Sequence, residues 1–178
     1  MKVILISGKA QHGKDTVAAL IRDTLKSDNH KVLTTHYADL LKYICQAYFD
    51  WDGNKDEKGR QMLQYVGTDV IRQKNPTMWV DFVAMILKYF HDHWDYVIIP
   101  DCRFPNEVTT MIQEGFDTMH LRVVRPGFKS SLTEAQQNHP SETALDNMPP
   151  DFFIENKGTL EELKSEIINW VKENLYEH

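Results

Sequence analysis

The chain has 178 residues, a length that suits one domain with its own hydrophobic core and requires neither disulfides nor a structural metal. Its formal net charge of −6 argues against a surface that binds long polyanions such as duplex nucleic acid, so a phosphate site would have to be local. The two cysteines, Cys45 and Cys102, lack the CxxC spacing of a zinc or redox site and favour a reducing cytoplasm. No apolar run approaches the roughly 20 residues of a membrane span, so we expect no membrane partner.

The first half of the chain predicts strand, helix, strand and then a long helical region. Residues 2–7 form a short β-branched run that ends at Gly8, which is typical of a buried strand. Apolar positions at helical spacing over residues 15–25 predict a helix, and residues 31–37 return to a β-rich pattern. Residues 38–93 are helical in character, with breaks at two turn-like sites.

The second half repeats the alternation of strands and helices. A polar segment containing proline and glycine, residues 125–150, is interpreted as a mobile flap. Thr159 followed by Glu162 forms a capping box that starts the last helix. Such alternation predicts an α/β fold with a central parallel sheet flanked by helices, whose function lies beyond the carboxyl ends of the strands. The other predicted elements are strands at 96–100, 118–124 and 152–154 and helices at 106–114 and 159–175.

The segment Gly8-Lys9-Ala10-Gln11-His12-Gly13-Lys14 matches G-x-x-x-x-G-K between a predicted strand and a predicted helix. In that context the glycines let backbone N–H groups surround phosphate oxygens, and the lysine reaches the β- and γ-phosphates. The motif therefore predicts a three-layer P-loop NTPase fold that binds ATP. The alternative is an ordinary glycine turn between strand and helix.

Asp15 occupies the position where a P-loop protein usually has the Ser or Thr that holds magnesium, and Thr16 follows it. An aspartate beside phosphates is unfavourable unless it meets a cation, so Asp15 is a candidate ligand of Mg²⁺. Its alternative role is that of a first-turn acid favoured by the helix dipole. Thr16 is a candidate for contact with a nucleotide phosphate.

A second hydrophobic strand, residues 96–100, is followed by Asp101. In P-loop proteins a strand of this kind ends in the carboxylate that binds magnesium. Asp101 is therefore the second candidate metal ligand, and a turn-starting aspartate is the alternative. Arg103 lies two residues further on, where a guanidinium suits bidentate contact with phosphate.

Four segments resemble, in order, those of phage-type deoxynucleoside monophosphate kinases, a branch of the P-loop kinases related to adenylate kinase. The resemblance implies ATP and Mg²⁺, and phosphoryl transfer to the 5′-phosphate of a deoxynucleotide. It covers nearly the whole chain. The segments are GKAQHGKDT (8–16), RQMLQYVGTDVIR (60–72) with Trp79, DCRFPNE (101–107), and HPSE (139–142) with the closing IENKGTL (154–160).

The resemblance also implies residue roles. Lys14, Asp15, Arg72 and Arg103 would be catalytic, and His139 and Glu142 would belong to the closing flap. Each arginine has an alternative as a surface ion pair, and Gln64 and Trp79 have an alternative as packing residues. The implied ATP-binding residues are Gly8, Gly13, Lys14, Asp15, Thr16, Asn156, Gly158 and Thr159, and the implied acceptor-binding residues are Lys42, Gln64, Arg72, Trp79, Arg103 and Arg125, with Arg122 an alternative phosphate clamp.

The sequence therefore predicts one P-loop kinase domain, residues 1–178, with a helical acceptor-binding region at about 38–93 and a flap at about 125–150. The expected partners are ATP and a nucleoside monophosphate, with no nucleic-acid polymer, and the expected location is the cytoplasm, of a host cell if a phage encodes the protein. The oligomeric state stays open, with a homodimer as one option. The alternatives are a kinase for dephospho-coenzyme A or phosphomevalonate, a P-loop nucleotide switch, and a nucleotide-binding protein without activity.

Overall fold

The computed structural model describes residues 1–176. A five-stranded parallel sheet with strand order β2-β3-β1-β4-β5 carries helices on both faces, which confirms the predicted fold class. The strands are β1 (Lys2–Ser7), β2 (Val32–Thr34), β3 (Tyr96–Ile99), β4 (Asp117–Val124) and β5 (Phe152–Glu155). The helices are α1 (Lys14–Ser27), α2 (Ala38–Phe49), α3 (Glu57–Gln64), α4 (Met78–Tyr89), α5 (Pro105–Gln113), α6 (Glu134–Gln137), α7 (Pro140–Thr143) and α8 (Leu160–Asn174), with a π-helix at Tyr65–Arg72 between α3 and α4.

The central strand β1 pairs with β3 on one side and β4 on the other. The chain passes from β1 over β3 to reach β2, and later from β3 over β1 to reach β4, so the connections that leave these two neighbouring strands run in opposite directions across the sheet. A crevice opens beyond the carboxyl ends of the strands at such a reversal. The G-x-x-x-x-G-K segment leaves β1 at this point.

Alternate residues of β1 enter two separate hydrophobic cores because successive side chains of a strand point to opposite faces. Val3 and Leu5 pack in the core that contains residues of α2, α4 and α5. Ile4 and Ile6 pack in the core that contains residues of α1 and α8. The sheet is thereby covered on both faces, which gives the three layers.

Three elements differ from the sequence predictions. The second strand ends at Thr34, because the N–H groups of Tyr37 and Ala38 bind the Asp101 carboxylate and the chain turns there into α2. Within the predicted helical region 38–93, the helix that begins at Glu57 is α-helical only as far as Gln64 and continues as the π-helix. The segment interpreted as a flap contains the two short helices α6 and α7.

None of the helices formed by residues 1–176 has the length and apolar character needed to cross a bilayer.

His120 is a buried histidine on β4, directly behind the start of the G-x-x-x-x-G-K segment. Its Nε2 lies 2.7 Å from Ser7 Oγ, and Ser7 Oγ donates to Leu121 O at 3.3 Å. Its Nδ1 is buried and has no hydrogen-bond partner among the described residues. Protonation would place a second N–H at Nδ1, and burial lowers the pKa of His120 from 6.5 to about 4.

This buried neutral histidine predicts acid sensitivity. Between pH 6.5 and 4 the unfolded chain takes up a proton at His120 that the folded chain does not, so stability falls as the pH falls. A His120→Gln variant keeps a polar group near Ser7 Oγ. Between pH 6.5 and 4 its free energy of unfolding should fall less than that of the parent, by up to about 3 kcal/mol. Urea unfolding at several pH values measures it. The exposed His91→Gln variant is the control and should retain the parental slope; a parental slope in His120→Gln would contradict the assignment.

Candidate active site

The loop between β1 and α1 depends on two glycines. Gly8 has φ +141°, and a Cβ there would lie 2.3 Å from Val123 O, so no other residue fits without moving β4. Gly13 has φ +93°, and its Cβ would lie 2.3 Å from Asn156 Nδ2. The Asn156 amide donates to His12 O at 2.9 Å. The loop is therefore closed against the chain that follows β5.

Lys14 begins α1 and turns its ammonium back over the loop. Nζ donates to Gly8 O at 2.8 Å and to Lys9 O at 2.9 Å. Burial and the nearby Arg103 guanidinium lower the pKa of Lys14 to about 8. A bound anion would offset both effects, so this ammonium is suited to meet phosphate oxygens.

A cleft of about 460 Å³ lies beside the loop. The cleft brings together most of the residues that the sequence predicted for ATP binding, and it adds Arg125, which was predicted for the acceptor. Thr159 lies at the rim of the cleft and caps α8, because its hydroxyl accepts a hydrogen bond from the Glu162 N–H at 3.2 Å. The lining residues are Gln11, Gly13, Lys14, Asp15, Thr16, Arg125, Asn156, Gly158, Thr159, Leu160 and Leu163.

Asp15 faces a histidine that the sequence analysis did not select. Its Oδ1 lies 3.9 Å from Nε2 of His36, and the pairing lowers the pKa of Asp15 and raises that of His36. His36 Nδ1 lies 3.4 Å from Asp39, whose carboxylate also accepts from Lys42 Nζ at 2.8 Å. The predicted Lys42 thus lies in a row of alternating charges that ends at the first turn of α1. The sequence placed His36 inside the predicted strand 31–37, whereas the observed strand ends at Thr34 and leaves His36 in the turn that faces Asp15.

Asp101 holds the start of α2. Its Oδ1 accepts from the Tyr37 N–H at 2.9 Å and its Oδ2 from the Ala38 N–H at 3.0 Å. In residues 1–176 no group of three or more His, Cys, Asp or Glu side chains is arranged to hold a metal ion. Mg²⁺ in kinases commonly takes one or two carboxylates and completes its shell with phosphates and water. Asp15, whose side chain is 86% exposed beside the loop, fits that pattern, and metal binding by Asp15 and Asp101 stays a prediction.

Arg72 lies in a buried ion pair. Its Nη2 donates to Glu107 Oε1 at 2.5 Å, and its Nη1 donates to Asn106 Oδ1 and Pro76 O at 3.0 Å each. The guanidinium also stacks 3.8 Å from the centroid of the Phe104 ring. The alternative of an exposed ion pair is wrong for this residue, because its side chain is 11% exposed. The guanidinium therefore joins the π-helix to the start of α5.

Glu107 lies at the centre of that network. Its Oε2 accepts from the N–H of Arg103 at 2.7 Å and of Phe104 at 3.1 Å, while Oε1 accepts from Arg72. Burial raises the pKa of Glu107, and Arg72 opposes the rise. The D-x-R-F-P-N-E segment is therefore a brace that fixes the backbone of Arg103.

Arg103 reaches toward the loop and meets the flap segment there. Its Nη1 donates to Ser141 O at 2.8 Å and to the Glu142 carboxylate. The other carboxylate oxygen of Glu142 accepts from the Ala10 N–H at 2.8 Å. Lys9 Nζ donates to Glu142 O at 2.6 Å and to Asp146 Oδ1 at 2.5 Å. A second cavity of about 90 Å³, which Gly8 also lines, lies between these groups.

The remaining predicted residues lie outside the cleft of about 460 Å³, although Arg122 lines the second cavity. Trp79 is 4% exposed and donates from Nε1 to Gly67 O at 3.2 Å, so it packs in the core. Gln64 is half-buried at the end of α3, and neither residue lines the two cavities. Arg122 Nη2 donates to Leu145 O and Met148 O at 2.6 Å each, so it fastens the end of the flap segment.

The chain is similar in sequence to several viral proteins. A family model described as deoxynucleotide monophosphate kinase matches residues 51–167. A deoxynucleotide monophosphate kinase of Enterobacteria phage T4 is 38% identical over 64% of this chain and 45% of the relative, and one of Escherichia phage RB69 is 34% identical over 61% and 42%. The chain thus spans less than half the length of these two relatives. A putative deoxynucleotide monophosphate kinase of Acanthamoeba polyphaga mimivirus is 28% identical over 96% of each chain.

Solved structures with the same fold are more distant in sequence. A Mycobacterium tuberculosis APS kinase CysC in complex with AMPPNP and APS has a TM-score of 0.54 at 13% identity, covering 96% of this chain and 97% of that one. The Aquifex aeolicus shikimate kinase has a TM-score of 0.51 at 16% identity, covering 98% of each chain. At such identities the likeness supports the fold alone.

The buried ion pair predicts a large effect on stability. Glu107→Ala leaves the Arg72 guanidinium and two backbone N–H groups without their acceptor, so the free energy of unfolding should fall by about 3–5 kcal/mol. Glu114→Ala is the matched control, because Glu114 pairs with Lys88 where both side chains are exposed; it should lose about 1 kcal/mol or less. Urea unfolding compares them. If Glu107→Ala does not fold, Glu107→Gln replaces it, and losses equal to those of the control would contradict the brace.

Proposed function

The chain belongs to the deoxynucleotide monophosphate kinase family, and from this premise we propose that it transfers the γ-phosphate of ATP to the 5′-phosphate of a deoxynucleoside monophosphate. The products are ADP and a deoxynucleoside diphosphate. The observation that carries the proposal is the convergence of Lys14 and Arg103 on the loop after β1, next to a cleft of about 460 Å³. A phosphoryl group in transfer carries negative charge, which is stabilised by cations and by the backbone N–H groups of a loop of this kind.

Positioning and charge neutralisation account for the proposed chemistry. An oxygen of the acceptor phosphate attacks the γ-phosphorus, and the bond from that phosphorus to the β–γ bridging oxygen breaks, which leaves ADP. The acceptor is already an anion at neutral pH, so no side chain has to remove a proton. Lys14 would neutralise the β- and γ-oxygens from the loop side, and Arg103 would neutralise the moving group from the end of β3. Asp15, with Asp101 as a second candidate, is proposed to hold Mg²⁺, which would supply further charge neutralisation when bound.

The two substrates would lie on opposite sides of this point. The phosphates of ATP would follow the loop from Gly8 to Thr16, and its base would lie against the segment 156–159. The acceptor would lie toward the helical region at about 38–93. Arg125, on the rim of the ATP cleft, is proposed as a clamp on the nucleotide phosphates. The remaining acceptor-side candidates are Lys42, Gln64, Arg72 and Trp79, with Arg72 and Trp79 proposed to act through packing.

The proposed place of action is the cytoplasm, where a kinase of this type finds ATP and nucleoside monophosphates. Two of the relatives come from bacteriophages, which supports a host cytoplasm. A homodimer is compatible with the family assignment and stays a proposal.

The loop assignment predicts the behaviour of Lys14→Ala. The variant should fold like the parent and lose most of the phosphoryl transfer, because the ammonium acts on oxygens whose charge shifts during transfer. A coupled ADP-release assay with each deoxy- and ribonucleoside monophosphate measures it, with dephospho-coenzyme A and phosphomevalonate as alternative acceptors. The proposed acceptor class would be overturned if the parent phosphorylated dephospho-coenzyme A or phosphomevalonate but none of the nucleoside monophosphates. Near-parental turnover by folded Lys14→Ala would overturn the role of the loop.

Arg103 predicts a separate effect on the acceptor. A planar guanidinium can span two phosphate oxygens, whereas lysine offers one point charge. Arg103→Lys should therefore lower kcat/KM for the monophosphate, and Arg103→Ala should lower it by about ten- to hundredfold, with less effect on the binding of ATP alone. Kinetics at saturating ATP measure the effect, and an unchanged kcat/KM in Arg103→Ala would restrict this side chain to holding Ser141 and Glu142 of the flap segment.

A further inference from the structure

Glu142 places a carboxylate among the groups that are suited to hold a phosphoryl group. One oxygen accepts from the Ala10 N–H of the phosphate loop at 2.8 Å, and the other accepts from the Arg103 guanidinium. The carboxylate also lies near enough to Lys14 to favour the charged ammonium. The side chain is 6% exposed, so the anion is enclosed by these donors.

The donors around Glu142 come from two separate elements. Ala10 belongs to the loop after β1, and Arg103 follows β3, the neighbouring strand. Two oxygens of one phosphoryl group could bridge the same pair, since a carboxylate and a phosphoryl group both present two acceptor oxygens at one centre. Both anions cannot hold these donors at once, because they would compete for the same N–H groups and repel each other in a site with little water.

We propose that Glu142 is a stand-in for substrate phosphate, an anionic latch that keeps the site closed until a nucleotide phosphate displaces its carboxylate. The inference rests on the proposed function only in that the loop must bind a phosphoryl group. With the latch closed, Arg103 and the loop are held in the arrangement that a phosphate needs. The loop cations are also neutralised, so the charges do not repel one another while the site is empty of substrate.

The contacts of the flap segment favour displacement of its middle part. Gly127 has φ +72° and open space around it, and it precedes the part that packs over the loop. The contacts of residues 128–143 with the rest of the protein include exposed polar pairs such as Gln11 Nε2 with Ser131 Oγ at 2.9 Å. The segment is fastened more firmly after Glu142, where Arg122 holds two carbonyls and Leu145 is buried. Rotation of the Glu142 side chain, or lifting of residues 128–143, would free the donors.

The test compares Glu142→Gln with Glu134→Gln. A neutral amide has a single acceptor oxygen, so it cannot offer Ala10 and Arg103 one oxygen each as the carboxylate does, and it lacks the negative charge that pairs with Arg103. Glu134 is an exposed glutamate on α6 in the same segment, and its substitution makes the same change in charge. The probes are inorganic tripolyphosphate and ADP, titrated by calorimetry without acceptor. Glu142→Gln should bind tripolyphosphate roughly tenfold more tightly than the parent, and Glu134→Gln should match the parent.

Backbone hydrogen exchange gives the second measurement. In the ligand-free state, residues 128–143 should exchange faster in Glu142→Gln than in the parent, and tripolyphosphate should speed the exchange of the parent toward that of the variant. Equal or weaker binding by Glu142→Gln would overturn the latch, because Glu142 would then support the site instead of occupying it. If Glu142→Gln does not fold, Glu142→Asp replaces it, since the shorter side chain cannot span both donors.

The outcome is separable from that of the proposed function. A parent protein that binds tripolyphosphate and releases the segment, but transfers no phosphoryl group to any nucleotide, would refute the kinase reaction and leave the latch intact. A parent that phosphorylates nucleotides while Glu142→Gln shows parental affinity would refute the latch alone.

Discussion

The buried carboxylate of Glu107 is the interaction on which the geometry of the site depends. Its two oxygens join the turn after β3 to Arg72 of the π-helix, and its backbone carbonyl accepts from the Tyr37 hydroxyl at 3.2 Å. Three elements distant in sequence are thereby fixed at one point. Since the backbone of Arg103 is held there, its side chain is directed to the phosphate loop without further support from α5.

The same corner concentrates opposite charges in a protein whose net charge is negative. Backbone N–H groups, Lys14 and Arg103 supply the positive side, and Glu142 and Asp101 supply the negative side. The Asp101 carboxylate accepts from the backbone N–H groups at the start of α2, whereas the Glu142 carboxylate accepts from the phosphate loop at Ala10. The two carboxylates that act on Lys14 therefore have different roles, because Asp101 accepts from the first N–H groups of α2 and Glu142 accepts from donors that the proposed substrate phosphate would also use.

The sequence was sufficient where a residue's role is set by its immediate neighbours. Gly8, Gly13 and Lys14 were found because a strand, a tight loop and a helix require them at fixed spacing. No local pattern encodes the ion pair of Arg72 with Glu107 or the contact of His36 with Asp15, because each joins segments that are separated in the chain. The residue roles in binding and transfer stay predictions. The fold was predictable because alternating buried strands and amphipathic helices leave few arrangements of a parallel sheet.

The π-helix at Tyr65–Arg72 has a consequence for the loss of a residue from this part of the chain. A π-helical stretch carries an extra residue compared with an α-helix of the same rise, because its hydrogen bonds span five residues instead of four. Removal of one residue here would let the stretch relax to α-helical bonding, with the elements on either side kept in place. Elsewhere in a helix the same deletion would rotate every later side chain by about 100°. We therefore expect the loss of one residue from this stretch to preserve the packing on either side of it, unlike the loss of one residue from α1 or α8.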